Sequence, residues 1–217
     1  MGSGAFAPTV TIPAKVNDYT VVALGKYAFA NCSDVAKVVL PEGITAIAAN
    51  VLENATNMKT MMLPASIQTI GSEAFKGCSL LKQIINMNPN PISLSPVEAR
   101  GMSRSGTRST AASQFDGISS DCILYVPAAS KTLYDSDPQW SGSFKEIVGI
   151  AGMGDANHDG RISQKDAVDV IDYLLTNNPD KILFGVSDMN GDDAITVTGL
   201  VKIIEASQGH AGSREQK

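Results

Sequence analysis

Apolar residues in the first 150 positions recur at intervals of 23 residues. Three successive segments carry matching side chains at Val21, Ile44 and Ile67; Leu24, Ile47 and Ile70; Phe29, Leu52 and Phe75; Cys32, Ala55 and Cys78; Val35, Met58 and Leu81; and Val38, Met61 and Ile84. One such unit cannot bury its own apolar face, so neighbouring units must stack to cover it. The pattern predicts a solenoid in which each repeat gives one short strand and one return segment.

Prolines locate the strands of this solenoid. Proline cannot donate a hydrogen bond to a neighbouring strand, so we expect each strand to end where a proline follows it. The prolines that follow short apolar runs are Pro13, Pro41, Pro64 and Pro127. Together with the 23-residue spacing, they predict strands near residues 9–12, 37–40, 60–63, 83–86 and 123–126.

The side chains of a strand alternate between its two faces. The positions predicted to point inward are Val38, Met61, Ile84 and Leu124. The neighbouring positions, which then point outward, are also apolar: Val39, Met62, Ile85 and Tyr125. Stacking would join this second set into an exposed stripe, which predicts a contact surface for a ligand or a second copy. Two alternatives stay open, because strand propensity alone favours such residues and another segment could cover them.

A segment rich in serine, glycine and arginine interrupts the repeats between Pro91 and Ser113. Arginines at 100, 104 and 108 have the spacing of one helix face, which could bind a carboxylate or sulfated ligand. Glycines at 101 and 106 disfavour a helix. We therefore expect a solvated loop here.

The pattern changes after residue 154, where short oxygen-bearing side chains alternate along a twelve-residue stretch. Oxygen donors fall at loop positions 1, 3, 5, 7, 9 and 12, the spacing of a calcium loop, and Gly160 at position 6 permits its sharp bend. The predicted ligands are Asp155, Asn157, Asp159, the carbonyl of Arg161, Ser163 and Asp166. The alternative is a surface turn of the same composition that binds no metal.

A second copy of this unit follows 33 residues later. Its predicted ligands are Asp188, Asn190, Asp192, the carbonyl of Ala194 and Thr196. Position 6 is Asp193 and position 12 is Gly199, which lacks the expected carboxylate. We therefore expect a tight first calcium site and a weaker second one. Each loop precedes an apolar run with helical spacing: Val168, Ile171, Leu174 and Leu175 after the first, and Leu200, Val201, Ile203 and Ile204 after the second.

Composition restricts the possible functions. Residues 1–150 hold 11 acidic and 11 basic side chains, whereas residues 151–217 hold 11 and 6, so the net charge of −5 belongs to the second part. No basic face favours nucleic acid, and no apolar run is long enough for a transmembrane segment. The two histidines suit no catalytic triad, and no phosphate or zinc motif is present. We expect a protein that is not an enzyme, although a pair of distant carboxylates could still form a hydrolase site.

Three cysteines are present, at 32, 78 and 122. Cys32 and Cys78 occupy the same repeat position two strands apart, which places their Cα atoms about 10 Å from each other, beyond disulfide reach. We interpret all three as small buried apolar residues with free thiols.

The paired loop-helix units of residues 154–206 resemble a type I dockerin, a calcium-binding domain that docks onto a cohesin. The resemblance implies that the recognition positions, 10 and 11 of each loop, are Gln164, Lys165, Val197 and Thr198. The repeat sequence, as in I-G-S-E-A-F-K-G-C-S-L-L-K-Q-I, resembles the BspA-like leucine-rich repeats of bacterial surface proteins. The resemblance extends over about residues 8–150. That family is non-catalytic as a rule and is associated with adhesion and protein binding.

The expected fold is mixed: a leucine-rich-repeat solenoid at 1–150, then a small all-α calcium-binding dockerin-like domain at 151–210 and a tail at 211–217. The expected function is adhesion or binding, outside the cell or on a bacterial surface. The solenoid would contact a protein or glycan, and the second domain would anchor it to a cohesin-type partner.

Two other interpretations remain. The chain could be a non-catalytic fragment or subunit of a larger extracellular polysaccharide-degrading enzyme or complex, or the calcium module could pack on the solenoid and stabilise it. Met1-Gly2-Ser3-Gly4 has no signal-peptide features, so we expect the natural N-terminus to lie further upstream.

Overall fold

The computed structural model describes residues 9–94, 114–176, 182–187 and 195–211. These residues form two compact units. The first includes the described residues up to Leu124 together with Leu133–Ile147, and the second includes Tyr125–Thr132 and the described residues from Val148 onward. The division does not fall at residue 150, and the predicted boundaries of independently folding domains stay a prediction. The predicted arginine loop and the predicted tail beyond residue 211 lie outside the described residues.

The strands are short, as expected for repeats of 23 residues. In chain order they are β1 (Thr9–Thr11), β2 (Lys15–Val16), β3 (Tyr19–Thr20), β4 (Ala23–Leu24), β5 (Lys37–Val39), β6 (Ala46–Ile47), β7 (Thr60–Leu63), β8 (Thr69–Ile70), β9 (Gln83–Asn86), β10 (Ser93–Leu94), β11 (Ile123–Pro127) and β12 (Glu146–Ile150). One sheet has the order β1-β5-β7-β9-β11-β12, and a second has the order β10-β8-β6-β4. The remaining pair, β2 and β3, is an antiparallel hairpin.

The first sheet confirms all five predicted strand positions to within one residue. Its strands β1, β5, β7 and β9 are parallel, and the pairing of Lys37 with Thr60 and of Thr60 with Gln83 reproduces the 23-residue period. The second ladder was not predicted, because the return segment was expected to be irregular. Its two-residue strands carry Leu24, Ile47 and Ile70, which the repeat alignment had matched.

Left-handed backbone positions also recur every 23 residues, at Asn31, Asn54 and Gly77. The Asn54 Nδ2 atom donates to the Asn31 Oδ1 atom at 3.2 Å, so amide side chains link successive repeats. At Gly77, a Cβ atom would lie 2.3 Å from the Asn54 Oδ1 atom, and φ is +74°. Glycine avoids this clash, whereas the asparagine found at this left-handed position in the two earlier repeats would force the Asn54 side chain to move.

Aromatic side chains close the C-terminal end of the first unit. Trp140 and Tyr134 are fully buried, with ring centroids 5.3 Å apart and an edge-to-face arrangement. Their polar atoms reach chain segments nearly 50 residues away: Trp140 Nε1 donates to the Ile92 carbonyl, and Tyr134 Oη accepts from Asn86 Nδ2 at 3.0 Å. They lie on two short helices, α1 (Lys131–Ser136) and α2 (Pro138–Ser141). These aromatic side chains form the core at this end of the first unit.

The predicted exposed stripe is only half correct. Val39 and Met62 are half-buried, but Ile85 is 0% exposed and Tyr125 is 4% exposed, so the expectation that these two side chains reach solvent is wrong. Strand β9 is buried at three successive positions, which means that both of its faces are covered there. Alternation predicted which residues share a face, but an apolar residue does not reveal whether that face meets solvent.

The three cysteines are free thiols, as predicted. Cys78 and Cys122 are buried and Cys32 is half-buried. Burial raises the pKa of the Cys78 thiol to about 11 and that of Cys122 to about 12. The Cys78 Sγ atom also donates to the Leu52 carbonyl at 3.1 Å, as expected for a small core residue.

The described part of the second unit contains three further helices: α3 (Gln164–Thr176), α4 (Phe184–Ser187) and α5 (Val197–Ala211). Helices α3 and α5 pack together around a small apolar cluster. Its buried members are Ala156, Ala167, Val170, Ile182, Ile195, Leu200 and Ile203. The observed parallel-strand repeats and this helical region confirm the predicted mixed fold class. Within the described part of the chain, no helix is long and apolar enough to cross a membrane.

Candidate calcium site and docking surface

Asp155 organises the loop that precedes α3. Its side chain is fully buried and accepts three backbone N–H groups: Asp159 on Oδ1 at 3.1 Å, and Gly160 at 3.1 Å and Ala151 at 2.8 Å on Oδ2. The loop therefore folds around the carboxylate at position 1. The N–H of Ala151 comes from the strand end just before the loop, so the same carboxylate also fixes where the chain enters it.

Asn157 and Asp159 continue this arrangement further around the loop. Asn157 Oδ1 accepts the Asp159 N–H at 3.1 Å, and Asp159 Oδ1 accepts the Arg161 N–H at 3.1 Å. Each side chain thus bonds the backbone two residues later, a local turn that these residue types favour. The alternation of short polar side chains directs their oxygens toward the inside of the turn.

The end of the loop is also the start of α3. Ser163 Oγ accepts the Lys165 N–H at 3.2 Å, and Asp166 Oδ2 accepts the Ser163 N–H at 2.8 Å. This reciprocal pair is a capping box, which satisfies backbone donors that the first helical turn leaves free. Asp166 is fully buried and its Oδ1 atom also accepts the Asn157 N–H at 3.2 Å. Asp166 therefore ties the helix start to the first half of the loop.

Two residues of the loop adopt left-handed backbone conformations, His158 with φ +49° and Gly160 with φ +83°. Glycine adopts this conformation without strain, which explains position 6, whereas histidine does so less readily. The His158 ring lies edge-on to that of Tyr125, with centroids 5.8 Å apart. Its Nδ1 atom is buried and has no hydrogen-bond partner among the described residues. The loop thus carries backbone strain beside an aromatic contact.

The charge and donor set of this loop fit a divalent cation. Burial raises the pKa of Asp155 above its usual value, and the nearby carboxylates of Asp166 and Asp159 raise it further, while hydrogen bonds from Ala151 and Gly160 lower it. Among the described residues, no lysine or arginine pairs with either buried carboxylate, Asp155 or Asp166. Buried like charges are costly without a cation, and the oxygen ligands available are those that calcium prefers.

Most of the second predicted loop lies outside the described residues. Asp188, Asn190, Asp192 and Ala194 lie outside the described residues. Thr196 is described, and its Oγ1 atom accepts the Gly199 N–H at 3.3 Å, which caps the start of α5. Gly199 is buried, and it offers no side-chain oxygen at position 12. The asymmetry between the two loops therefore stays a prediction.

The four positions implied by the dockerin resemblance lie at the starts of two helices. Gln164 and Lys165 are in the first turn of α3, Val197 and Thr198 are in the first turn of α5, and all four are exposed. The two pairs come from helices that pack against each other. Each pair is therefore accessible to a partner.

Sequence reasoning missed that α3 and α5 also expose apolar side chains. The exposed apolar residues of α3 are Val168, Ile171, Leu174 and Leu175. Those of α5 are Val197, Val201 and Ile204. Leu175 is 81% exposed and Val197 is 67% exposed. Helical spacing was visible in the sequence, but the smaller Ala167 and Val170 face the core instead. Exposed apolar side chains at helical spacing are typical of interaction surfaces.

The described residues thus form parallel-strand repeats and a region of packed helices preceded by a polar loop. Comparison with known families identifies both. Residues 1–95 match the BspA type leucine rich repeat region in six copies, and residues 153–206 match the dockerin type I domain. The chain thus carries BspA-type leucine-rich repeats at its N-terminus followed by a type I dockerin domain, which confirms both sequence resemblances.

A solved structure is also similar to part of the chain. It is the crystal structure of a leucine rich repeat protein of T. pallidum, with 14% sequence identity and a TM-score of 0.41. The match covers 64% of this chain and 68% of that one. A search of curated proteins gives no match.

Proposed function

We propose that this chain is a non-catalytic binding protein whose dockerin domain binds calcium and docks onto a cohesin-type partner. The observation that supports this most is the exposure of Gln164, Lys165, Val197 and Thr198 beside the apolar faces of α3 and α5. Polar side chains at the helix starts together with apolar residues along the helices are the composition of a protein interface.

The loop before α3 would be the calcium site. The side chains of Asp155, Asn157, Asp159, Ser163 and Asp166 and the Arg161 carbonyl would hold the ion. A bound ion would neutralise the buried carboxylates and fix the capping box, and thereby the direction in which α3 presents its exposed side chains. We infer that partner binding therefore depends on calcium.

The solenoid would carry the second binding function, for a protein or glycan ligand. Val39 and Met62 are the two members of the predicted stripe that keep partial exposure on the parallel sheet. Both domain types are typical of extracellular or surface proteins, so we propose that the chain works there. In the alternative, the same docking would anchor the chain as a non-catalytic part of a larger degradative enzyme or complex.

Calcium-dependent capture of a cohesin tests the docking proposal. The chain should bind an immobilised type I cohesin in millimolar calcium and lose binding in chelator. A Lys165→Glu, Thr198→Asp variant should lose affinity by roughly 30-fold or more, the effect of removing a contact that contributes about 2 kcal/mol. Leu175→Asp should weaken binding in the same direction, because it places a charge in the apolar surface.

The control is Lys59→Glu, which repeats the charge change of Lys165→Glu at an exposed site on the solenoid. It should bind the cohesin as the wild type does. Equal binding by the double variant, with an unchanged circular dichroism spectrum, would contradict the assignment of this surface. Failure to bind any cohesin tried, in calcium, would count against the cohesin proposal itself.

A further inference from the structure

Asp169 holds the side chain of Asn157 from outside the calcium loop. It lies on α3, three residues after the last loop position, and its Oδ2 atom accepts from Asn157 Nδ2 at 2.9 Å. Both side chains are half-buried. Asp169 is none of the predicted ligands and none of the predicted docking residues, so neither function accounts for this contact.

The contact determines which way the Asn157 amide points. An ionised carboxylate can only accept hydrogen bonds, so the amide nitrogen must face Asp169. The amide oxygen then faces the loop, where it accepts the Asp159 N–H at 3.1 Å. The opposite orientation would set the amide oxygen against a carboxylate oxygen and its NH2 group against the Asp159 N–H, which breaks both bonds. The two contacts therefore fix one orientation of an otherwise ambiguous group.

Orientation matters here because the two ends of an amide differ in metal binding. Calcium binds oxygen, and an amide nitrogen offers it no suitable donor. A residue that holds the oxygen toward the loop keeps the ligand ready and removes the alternative orientation before the ion arrives. Partners of this kind, outside the ligand set, typically change metal affinity by about 10- to 100-fold.

We propose that Asp169 is a positioning residue for the first calcium site, which fixes the amide oxygen of Asn157 toward the ion. It also determines the residue type at loop position 3. An aspartate there would place a second carboxylate about 3 Å from Asp169 and lose the donor that Asp169 accepts from. In this chain, the amide of Asn157 at loop position 3 and the carboxylate of Asp169 are complementary, and we call these two residues the matched pair. The proposal rests on calcium binding at this loop.

The first test compares two substitutions that remove the same charge. Asp169→Asn keeps an oxygen acceptor for Asn157, whereas Asp169→Leu removes it. Calcium binding is measured by titration calorimetry on the full chain, with Asp188→Ala in every variant so that the second loop does not contribute. Asp169→Leu should weaken binding about tenfold relative to Asp169→Asn. Equal affinities for the two variants would overturn the proposal.

The second test exchanges the matched pair. Asn157→Asp should weaken calcium binding when Asp169 is present, because two carboxylates then meet. In the Asp169→Asn background, the same substitution should strengthen binding, because the carboxylate introduced at position 157 has a donor beside it and adds a charged ligand. A merely structural role for Asp169 would not reverse the direction of this effect. The same direction in both backgrounds would overturn the proposal.

The third measurement does not use calcium affinity. In the wild type, the side-chain NH2 resonances of Asn157 should show a hydrogen bond through slowed exchange with water, more strongly in calcium than in chelator, and Asp169→Leu should abolish it. Absence of that bond in the wild type would overturn the positioning role. If the wild type shows the bond but binds no calcium, the proposed calcium function fails while the contact itself stands, so the two failures are distinguishable.

Discussion

The Nζ atom of Lys165 lies 3.6 Å from the Oδ2 atom of Asp159, so a predicted docking residue is paired with a predicted calcium ligand. Both side chains are partly exposed, and such pairs contribute at most about 1 kcal/mol. A calcium ion at Asp159 would compete with the ammonium group for the same carboxylate. Calcium binding and the freedom of Lys165 to meet a partner are therefore linked.

We predict that Lys165→Gln raises calcium affinity at low salt, by up to about fivefold, because the competing cation is removed. Titration calorimetry in the Asp188→Ala background measures this. The gain should shrink at high salt, where exposed charges are screened. A weaker affinity in the variant would show that Lys165 supports the site instead of competing for it.

The two loops should bind calcium unequally. Only the first keeps a carboxylate at position 12, where a bidentate acid is the usual ligand. Asp155→Ala should abolish the tighter binding event in calorimetry, and Asp188→Ala should remove only the weaker one. Identical losses from the two substitutions would contradict the asymmetry.

Calcium should stabilise more of the chain than the dockerin match at 153–206. Tyr125 contacts His158, and a Cβ atom at Gly149 would lie 3.0 Å from the Cα atom of Ala128, so Tyr125–Thr132 packs closely within the second unit. Hydrogen exchange of the full chain should therefore show that chelation reduces protection in Tyr125–Thr132 as well as in the loop. Strands β7 and β9 serve as the internal control and should not change. A response confined to residues after 150 would exclude this coupling.

Met62 and Ile85 should respond differently to a charge, although they occupy equivalent positions on neighbouring strands. Met62 is half-buried, so Met62→Asp should cost about 1 kcal/mol or less. Ile85 has no exposed surface, and Ile85→Lys would bury an unpaired charge at a cost of about 4 kcal/mol or more. Urea denaturation measures both free energies of unfolding. Similar values would show that Ile85 reaches solvent.

Cys32 should be the one fast-reacting thiol of the folded chain. A raised pKa lowers the thiolate fraction at a given pH, and at pH 8 a thiol with the pKa of Cys78, about 11, is ionised to about one part in a thousand. Cys122, whose pKa is about 12, is ionised less still. A thiol-reactive dye should label one site quickly, Cys32→Ser should remove that phase, and denaturant should expose the others. A fast phase that survives Cys32→Ser would contradict this assignment.

The repeat and the loop could be predicted because each depends on local spacing. The 23-residue period and the prolines that follow the strands located β5, β7 and β9, and the positions of Asp155 to Asp166 indicated a calcium loop. The position of each strand depends on residues within one repeat, and the position of each predicted ligand depends on residues within one loop. Both are therefore visible as local spacing.

Exposure could not be predicted in the same way, because it depends on distant parts of the chain. Ile85 and Met62 have similar apolar side chains, and the sequence gives no sign that one is covered. Leu175 likewise points outward because α3 packs against α5 through Val170 instead. Only this packing determines which apolar residue of α3 is buried. The contact of Asp169 with Asn157 joins a helix to a loop twelve positions away, and no motif indicates it.

The backbone hydrogen bonds that join the turns of successive repeats continue across the interruption in the repeats. The Phe75 N–H donates to the Gln114 carbonyl and the Gly77 N–H to the Asp116 carbonyl, as equivalent residues do between earlier repeats. Gly77 and Gly117 share a left-handed conformation but are 40 residues apart, 17 more than the usual period. One repeat has thus accepted extra sequence between Leu94 and Gln114 without losing register. The same junction is a natural place for evolution, or a protein engineer, to graft a foreign peptide onto this scaffold.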